Sequence, residues 1–487
     1  MKLRDVTKKL NIIKISGNED VVVNRICTDN RIASTGDCFV CIKGFVRDGH
    51  EFAESAVKNG ASAVVVQDEK YFDELSLKYS ERCFILTDDT RYALALLSDN
   101  LSEHPSGDLM LLGITGTKGK TTTSYMIKSI YDNAGVKTGL VGTMGNMIGG
   151  RLIRTERTTP EANVLQPLLR EMVSENVKTC IMEASSQGLN LGRVACCEFG
   201  IGIFTNLSPD HIGENEHRDM DDYARAKAKL FKMCRKGLVN VDSPYATVMM
   251  EGARCEMFTY GIEESCDFRA VNVVLNNDSV EYDIVGKCPL THINVPVPGR
   301  FTVYNSLAAA GACFLGGISM EKIAEGLSKV FVKGKAEIVP TGRDFTVMID
   351  YAHNPDSFIN IIGAARGFAK RVVFLFGCGG DRNRPRALMG KTAGEQADFT
   401  IITSDNPRSE DPESIVRDIE KGIIGTGKPY VCIVDRREAI EYAVKNALPG
   451  DVIILAGKGH ETEQIFKDKT VHFDERIVVK EALEKFY

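Results

Sequence analysis

The feature that restricts the fold of this chain most strongly is a glycine-rich turn between an apolar run and a helical pattern. Residues 109–115 read LMLLGIT, residues 116–119 read GTKG, and the helical pattern runs from Lys120 to about Ala134. Backbone N–H groups of such a turn and the amino end of the following helix bind phosphate oxygens. The spacing departs from G-x-x-x-x-G-K, because Ile114 stands where the first glycine is expected. An ordinary turn is the alternative, but we predict a phosphate-binding loop comprising Gly116, Thr117, Lys118, Gly119, Lys120, Thr121 and Thr122.

The rest of the chain alternates strand-like and helix-like segments, which predicts parallel sheets covered by helices. The central part continues with strands at 177–182 and 200–205 and a helix at 223–233. Near the carboxyl end, four apolar strands (345–349, 372–376, 399–403 and 452–455) each run into a polar or glycine-rich segment. Ligands of open parallel sheets bind beyond the carboxyl ends of the strands, so these segments predict a site, although βα turns often have this composition anyway. We predict three α/β domains: 1–106, 107–333 and 334–487.

Charge and composition exclude several classes of protein. The chain has 487 residues, 60 Lys and Arg against 66 Asp and Glu, and a net charge of −6, which argues against a general nucleic-acid binder. It contains no apolar run long enough to span a membrane, and its amino-terminal residues do not resemble a signal peptide. The 14 cysteines are scattered, which is typical of reduced thiols. We therefore expect a cytoplasmic protein, acting as a monomer on small molecules.

Three further residues follow or face the predicted loop. Glu183 comes directly after an apolar strand, where a Mg²⁺-binding carboxylate would stand. A surface or capping glutamate is the alternative, but the position at a strand end favours the functional role. His211 follows the strand at 200–205 and is a candidate metal or phosphate ligand, although single histidines are usually structural. Lys227 lies on the apolar face of its helix, together with Tyr223, which suggests a functional role. The alternative is that its aliphatic chain is buried and only its ammonium group reaches solvent.

These segments together resemble the Mur ligase family, and within it the branch that adds the third residue to UDP-N-acetylmuramoyl-L-alanyl-D-glutamate. The resemblance spans nearly the whole chain. It rests on GTKGKTT (116–122), TTPEA (158–162), EASSQGL (183–189), TNLSPDH (205–211), YARAKAKLF (223–231), PGRFTVYNSLAAAG (298–311), DYAHNPDS (350–357), GCGGDR (377–382), DNPR (405–408) and GKGHE (457–461).

The resemblance implies an amino-terminal UDP-binding α/β domain, a central P-loop-type parallel-sheet ATPase domain and a carboxyl-terminal Rossmann-like domain. It also implies ATP and Mg²⁺ as cofactors, and a reaction in which a substrate carboxylate is phosphorylated and then attacked by an amine. Lys120, Glu183, His211 and Lys227 take catalytic positions. Thr121, Glu183, His211 and Lys227 would hold metal ions, with Lys227 as an N-carbamylated lysine.

The remaining implied contacts fall into three sets. For ATP, beside the loop, they are Asn305, His353 and Arg382. For the UDP-muramoyl-dipeptide they are Asn30, Phe45, Val46, Arg47, Thr158, Thr159, Ser185 and Arg193. For the incoming amino acid they are Arg386, Asp405, Asn406, Pro407, Arg408, Gly457 and Glu461.

The resemblance favours meso-diaminopimelate as the third residue, because the Arg408 side chain can pair with the distal carboxylate of a diacid. Several positions differ from the family pattern. Asn30 replaces a serine, Gln187 replaces a histidine, Leu191 replaces a glutamine and Lys335 replaces an arginine. The segment after His211 is longer than usual, and the loop after Arg382 is one residue shorter. The alternatives are an L-lysine-adding ligase, a folylpolyglutamate-type ligase, and a catalytically silent paralogue that binds UDP-muramoyl peptides.

Overall fold

The structure is a computed structural model that describes residues 1–210, 212–213, 216–276, 278–382 and 384–487. The chain divides into two compact units. The first comprises residues 1–268 and 308–322, and the second comprises residues 269–307 and 323–487. Both units alternate strands and helices, which confirms the α/β class. The boundaries after residues 106 and 333 stay a prediction.

The first sheet of the first unit has five strands, of which four are parallel. Its strands are β1 (Ile12–Ser16), β2 (Arg25–Cys27), β3 (Asp37–Val40), β4 (Ala63–Val66) and β5 (Cys83–Thr87). They lie in the order β1-β5-β4-β3-β2, and β1 runs antiparallel to β5. The accompanying helices are α1 (Leu3–Val6), α2 (Ala53–Lys58), α3 (Glu69–Lys78) and α4 (Thr90–Leu101).

The second sheet of this unit contains the predicted loop. Its strands are β6 (Met110–Thr115), β7 (Thr138–Val141), β8 (Asn146–Ile148), β9 (Arg151–Ile153), β10 (Thr179–Glu183), β11 (Phe199–Phe204), β12 (Cys234–Asn240) and β13 (Glu256–Gly261). They lie in the order β13-β12-β11-β6-β10-β7-β8-β9, parallel from β13 to β7. The helices are α5 (Lys120–Asn133), α6 (Ala162–Ser174), α7 (Ser186–Asn190), α8 (Met220–Ala228) and α9 (Ala246–Met250).

The second unit begins with three strands, β14 (Phe268–Leu275), β15 (Val280–Gly286) and β16 (Thr291–Val295), of which only the first residue of β14 belongs to the first unit. Helices α10 (Arg300–Leu315) and α11 (Met320–Ser328) follow and have residues in both units. The later strands are β17 (Glu337–Val339), β18 (Thr346–Asp350), β19 (Arg371–Phe376), β20 (Phe399–Ile402), β21 (Tyr430–Cys432), β22 (Asp451–Ala456), β23 (Glu463–Ile465) and β24 (Thr470–His472). The later helices are α12 (Pro355–Arg366), α13 (Arg386–Gln396), α14 (Pro412–Ile423), α15 (Arg436–Lys445) and α16 (Glu475–Phe486).

The main sheet of the second unit brings the four predicted site segments to one edge. Its order is β17-β18-β22-β19-β20-β21, and all neighbours except β17 and β18 are parallel. The four strands predicted from the sequence are β18, β19, β20 and β22, and they are consecutive neighbours. Their carboxyl ends therefore meet, as the ligand edge of an open sheet requires.

The predicted strands and helix around the glycine-rich turn are also confirmed as β6, β10, β11 and α5. The helix predicted at 223–233 is shorter, because α8 ends at Ala228 and a 3-10 turn follows over Lys229–Lys232. This tighter turn still buries Leu230 and Phe231. Within the described ranges, every helix is too short or too polar to span a bilayer. All 14 cysteines are free thiols.

A fully buried ion pair joins two helices of the second unit. The Arg436 guanidinium, at the start of α15, donates to Glu475 Oε1 from Nε at 2.9 Å and from Nη2 at 2.7 Å. It also donates to the backbone carbonyls of Ser404 and Ala456, at the ends of β20 and β22. Neither charged side chain has any exposed surface. The pair therefore ties the helices to the edge of the sheet where the site segments lie.

Breaking this pair should destabilise the protein strongly. Arg436→Met leaves the Glu475 carboxylate buried without its partner, and we expect the free energy of unfolding to fall by about 3–5 kcal/mol in urea denaturation. Arg437→Met is the matched control, because its ion pair with Glu481 is exposed and contributes about 0–1 kcal/mol. Equal losses in the two variants would contradict the buried role of Arg436.

Candidate active site

The glycine-rich turn has the backbone conformation that its sequence predicts. Gly116 has φ +149° and Gly119 has φ +86°, both in the region that favours glycine. A Cβ on Gly116 would lie 2.0 Å from Thr205 Oγ1, so the close approach of the two segments also requires glycine. Gly119 is the N-cap of α5, and the N–H groups at the start of that helix therefore border the turn.

The segment after β11 holds the turn in place. The Thr205 hydroxyl donates to the carbonyl of Lys118 at 2.7 Å. Asn206 accepts the Lys118 N–H on Oδ1 at 3.0 Å and donates from Nδ2 to the Lys118 carbonyl, also at 3.0 Å. The backbone carbonyl of Asn206 accepts the Thr117 N–H. These bonds fix the loop before any ligand binds, so the site is preorganised.

Two lysine ammonium groups meet at one carbonyl oxygen of the turn. Lys120 Nζ donates to the carbonyls of Gly116 at 2.9 Å and Thr117 at 3.0 Å, and Lys227 Nζ donates to the carbonyl of Gly116 at 2.9 Å. Lys227 is 1% exposed and lies 4.3 Å above the ring of Tyr223. Burial, and then the charge of Lys120, hold the pKa of Lys227 well below its usual value. Because the amino group of Lys227 is buried, the side chain does not carry a charge to solvent, and the functional interpretation is favoured.

Glu183 is fully buried and lies against the first turn of α5. Its Oε2 accepts hydrogen bonds from the hydroxyls of Thr121 at 3.0 Å and Thr143 at 2.9 Å, and its Oε1 accepts the Thr143 N–H at 3.2 Å. A Cβ on Gly142 would lie 2.3 Å from Oε1, so glycine makes room for the carboxylate. Thr143 is not among the residues predicted from the sequence. Its only signal was the glycine-containing segment GTMG directly after a strand.

Three of the four predicted dipeptide contacts near Glu183 form one hydrogen-bonded group. The Thr159 hydroxyl donates to the carbonyl of Glu183 at 2.8 Å and lies 3.0 Å from Ser185 Oγ. Arg193 donates to the carbonyl of Thr159 at 3.1 Å. The fourth is Thr158, whose hydroxyl oxygen lies 3.0 Å from that of Thr143, and Thr143 in turn bonds to Glu183. The structure therefore links Thr158 to the Glu183 carboxylate through Thr143, and it links Thr159, Ser185 and Arg193 to one another and to the backbone carbonyl of Glu183.

The oxygen atoms beside the turn suit a hard divalent cation. The hydroxyl of Thr121 and the carboxylate of Glu183 are adjacent oxygen donors of the kind that Mg²⁺ prefers. Lys227 presents a nitrogen that would need modification to become such a ligand. The predicted ligand His211 lies outside the described residues. Across the described part of the chain, no group of three or more His, Cys, Asp and Glu side chains could hold a metal ion.

The predicted UDP contacts follow two parallel strands of the first sheet. Asn30 comes after β2, and Phe45, Val46 and Arg47 come after its neighbour β3, so both segments leave the same edge. Asn30 donates to Ser55 Oγ at 3.0 Å. Phe45 and Val46 are 60% and 87% exposed, which leaves two apolar side chains open to a ligand.

In the second unit, most of the predicted amino-acid contacts surround one buried lysine. Asn406 Nδ2 donates to Glu461 Oε2 at 2.9 Å, and Lys458 Nζ lies 3.3 Å from the same oxygen. A Cβ on Gly457 would lie 2.7 Å from Asp405 Oδ2, and Gly457 has φ +111°. Lys458, within GKGHE, is not among the residues predicted from the sequence, because no local pattern shows that this lysine is buried.

The two predicted arginines of this pocket have different partners. Arg386 donates to Glu410 at 2.8 Å and to Asp418 at 3.3 Å, and the bond to Glu410 raises the pKa of the guanidinium. Arg408 donates one N–H to the carbonyl of Gly380 at 3.1 Å. A Cβ on Gly380 would lie 1.9 Å from the carbonyl of Pro407, so the two loops touch. Arg408, unlike Arg386, has no carboxylate partner among the bonds that the structure describes for it.

The remaining predicted nucleotide contacts belong to different elements of the second unit. Asn305 is buried on α10. His353 follows β18, and its Nδ1 lies 2.8 Å from the carbonyl of Tyr351. Arg382 follows β19 and is exposed. Their common role in nucleotide binding stays a prediction.

The fold and the loop together define an α/β protein with a glycine-rich turn between a strand and a helix and a buried carboxylate beside it. Sequence profiles identify its class. Residues 22–100 match the Mur ligase family catalytic domain, residues 114–313 the Mur ligase middle domain, and residues 334–459 the Mur ligase glutamate ligase domain. The chain therefore belongs to the Mur ligase family.

Individual relatives match over their whole length. The chain is 46% identical to the UDP-N-acetylmuramoyl-L-alanyl-D-glutamate--2,6-diaminopimelate ligase of Caldanaerobacter subterraneus subsp. tengcongensis, over 99% of each chain. It is 42% identical to the ligase of the same name from Clostridium botulinum, over 100% of each. A solved structure of a ligase of that name is 28% identical, with a TM-score of 0.73 over 100% of this chain and 99% of the other.

Proposed function

We propose that this chain is an ATP-dependent ligase that joins meso-2,6-diaminopimelate to UDP-N-acetylmuramoyl-L-alanyl-D-glutamate, a step of peptidoglycan synthesis. One observation carries the proposal. The buried Glu183 carboxylate lies 3.0 Å from the Thr121 hydroxyl, in the first turn of a helix that begins at Lys120, whose ammonium group bonds to the preceding loop. Phosphate-binding and metal-binding groups are therefore adjacent. The names of the full-length relatives supply the substrates.

In the proposed reaction, the side-chain carboxylate of the D-glutamyl residue attacks the γ-phosphorus of ATP. The bond to the β–γ bridging oxygen breaks, and ADP and an acyl phosphate form. Attack of one anion on another is slow unless positive charge and N–H groups reduce the repulsion. Lys120 and the loop N–H groups supply these, and Thr159, Ser185 and Arg193 would orient the acid beside them.

The amine of the third amino acid then attacks the acyl carbon and loses a proton, and phosphate leaves with the bonding electrons. The products are an amide and inorganic phosphate. Thr121 and Glu183 would hold one Mg²⁺ ion, and His211 and modified Lys227 would hold another. When bound, such ions neutralise charge on the transferring phosphoryl group. We also propose a cytoplasmic location, with which free thiols at all 14 cysteines agree.

Lys227 is proposed to be N-carbamylated. Its buried position next to Lys120 disfavours the ammonium form, and the neutral amine is the form that attacks CO₂. A C–N bond forms, one N–H proton goes to solvent, and the product is an anionic carbamate. This change converts the repulsion between Lys120 and Lys227 into attraction and adds oxygen ligands for a cation.

Carbamylation predicts a specific carbon signal. After incubation with ¹³C-bicarbonate, we expect a carbamate resonance in the ¹³C NMR spectrum of the wild-type protein and its loss in Lys227→Met. Lys229→Met is the control, since this lysine is two residues away and its ammonium contacts Asn190 Oδ1 at 2.7 Å instead. A signal that survives in Lys227→Met, or that disappears equally in Lys229→Met, would place the modification elsewhere.

The ligase proposal is tested by product mass. The chain is incubated with ATP, the UDP-muramoyl-dipeptide and, one at a time, meso-diaminopimelate, L-lysine and other diamino acids. We expect the tripeptide product with diaminopimelate, and a decrease in rate of about 100-fold or more in Lys120→Ala, which removes a charge on the phosphoryl group.

Lys128→Ala, in the same helix, should keep near-normal turnover. A product formed only with L-lysine would replace the proposed acceptor. Full activity of Lys120→Ala would contradict the phosphate role. Absence of ATP turnover with every amino acid would favour a silent binding paralogue.

Arg408 should determine the use of the diacid. Loss of a charge-assisted hydrogen bond to the distal carboxylate predicts an increase of about 10- to 100-fold in the KM for diaminopimelate in Arg408→Ala. The KM for the UDP-muramoyl-dipeptide should stay within threefold. Arg417→Ala, an exposed arginine of α14, is the control. Equal increases in both KM values would contradict a clamp on the amino acid.

A further inference from the structure

Lys458 is a buried charge at the edge of the main sheet of the second unit. It lies in the turn directly after β22, and its side chain has no exposed surface. Lysine is almost never fully buried unless its ammonium group is paired. The partners of this lysine therefore indicate what it does.

All three polar partners of Lys458 are residues of the predicted amino-acid pocket. Nζ donates to Asn406 Oδ1 at 3.0 Å and to Glu461 Oε2 at 3.3 Å, and it lies 3.8 Å from Asp405 Oδ1. Asn406 and Glu461 also bond to each other at 2.9 Å. One ammonium group therefore connects two chain segments that are about fifty residues apart.

The hydrogen bonds leave part of the carboxylate available. Both Lys458 and Asn406 use Oε2 of Glu461, and neither bond engages Oε1. The Glu461 side chain is 27% exposed, whereas Lys458 is fully covered. The lysine thus lies behind the pocket, and the carboxylate lies between it and solvent.

We propose that Lys458 is a positioning residue, which sets the orientation of Glu461 and Asn406 toward the incoming amino acid and offsets one of the two pocket carboxylates. The inference rests on the proposed function, since it assigns the amino acid to this pocket. A lysine that only filled space would have no reason to contact three pocket side chains. Lys458 itself does not touch the substrate in this proposal.

The test separates positioning from stability. We expect Lys458→Met to raise the KM for the amino acid at least tenfold, while kcat and the KM values for ATP and the UDP-muramoyl-dipeptide change less than threefold. Arg371→Met is the matched control. This variant breaks an ion pair with Asp451 at the amino ends of β19 and β22, which are the ends away from the predicted pocket. It should lower thermal stability without changing any KM.

A double-mutant cycle with Glu461→Gln supplies the second measurement. If Lys458 acts through Glu461, the combined increase in KM will be smaller than the product of the two single increases. Independent effects, or an unchanged KM in Lys458→Met, would overturn the proposal. The proposal would also be overturned if Lys458→Met and Lys458→Gln both failed to fold while Arg371→Met folded.

The KM measurements on all these variants use the amino acid that the wild-type protein ligates. A wild type that ligates L-lysine instead of diaminopimelate would refute the proposed acceptor, and the effect of Lys458→Met on the KM for lysine would still decide the role of Lys458.

Discussion

Two lysine amino groups at one carbonyl oxygen are the interaction on which the first site depends. Lys120 and Lys227 both donate to the carbonyl of Gly116, each at 2.9 Å. Two positive charges this close would repel strongly, because Lys227 is removed from water, so its burial and the charge of Lys120 disfavour the ammonium form of Lys227. Any anion that enters the turn relieves this repulsion, whether a phosphate at Lys120 or a carbamate on Lys227. The loop is held in shape by Thr205 and Asn206, so this electrostatic demand is present before a ligand arrives.

The second unit also buries positively charged side chains, but there each one is paired with a carboxylate. Lys458 and Arg436 are both fully buried, and each lies at the carboxyl edge of the parallel sheet. Arg436 bonds to Glu475 and to the carbonyls of Ser404, just after β20, and Ala456, at the end of β22, whereas Lys458 bonds to side chains of the predicted amino-acid pocket. Buried ion pairs of this kind contribute little net stability but penalise any rearrangement that separates them. They therefore hold the loops of the edge in one arrangement.

The sequence predicted those parts of the molecule that depend on local patterns. The glycine-rich turn, the strands β6, β10, β11, β18, β19, β20 and β22, and the inward position of Lys227 all follow from composition and periodicity over a few residues. The family resemblance added the substrates. What it could not predict are contacts between distant segments: Thr143 with Glu183, Lys458 with Asn406, and Arg386 with Glu410. Each joins residues at least 24 positions apart, and sequence spacing carries no information about such pairs.

The charges of the second site bear on the choice of amino acid. Asp405 and Glu461 contribute two negative charges, Lys458 and Arg408 two positive ones, and the sum is zero. Arg386 is not counted in this sum of charges, because its guanidinium already donates hydrogen bonds to the carboxylates of Glu410 and Asp418. The distal end of diaminopimelate carries an ammonium group and a carboxylate, also with a sum of zero, so each charge finds an opposite partner. The distal end of L-lysine carries only an ammonium group and leaves the Arg408 guanidinium without a carboxylate. If these residues bind the amino acid as proposed, such an unpaired charge is costly, and the diacid is the better match.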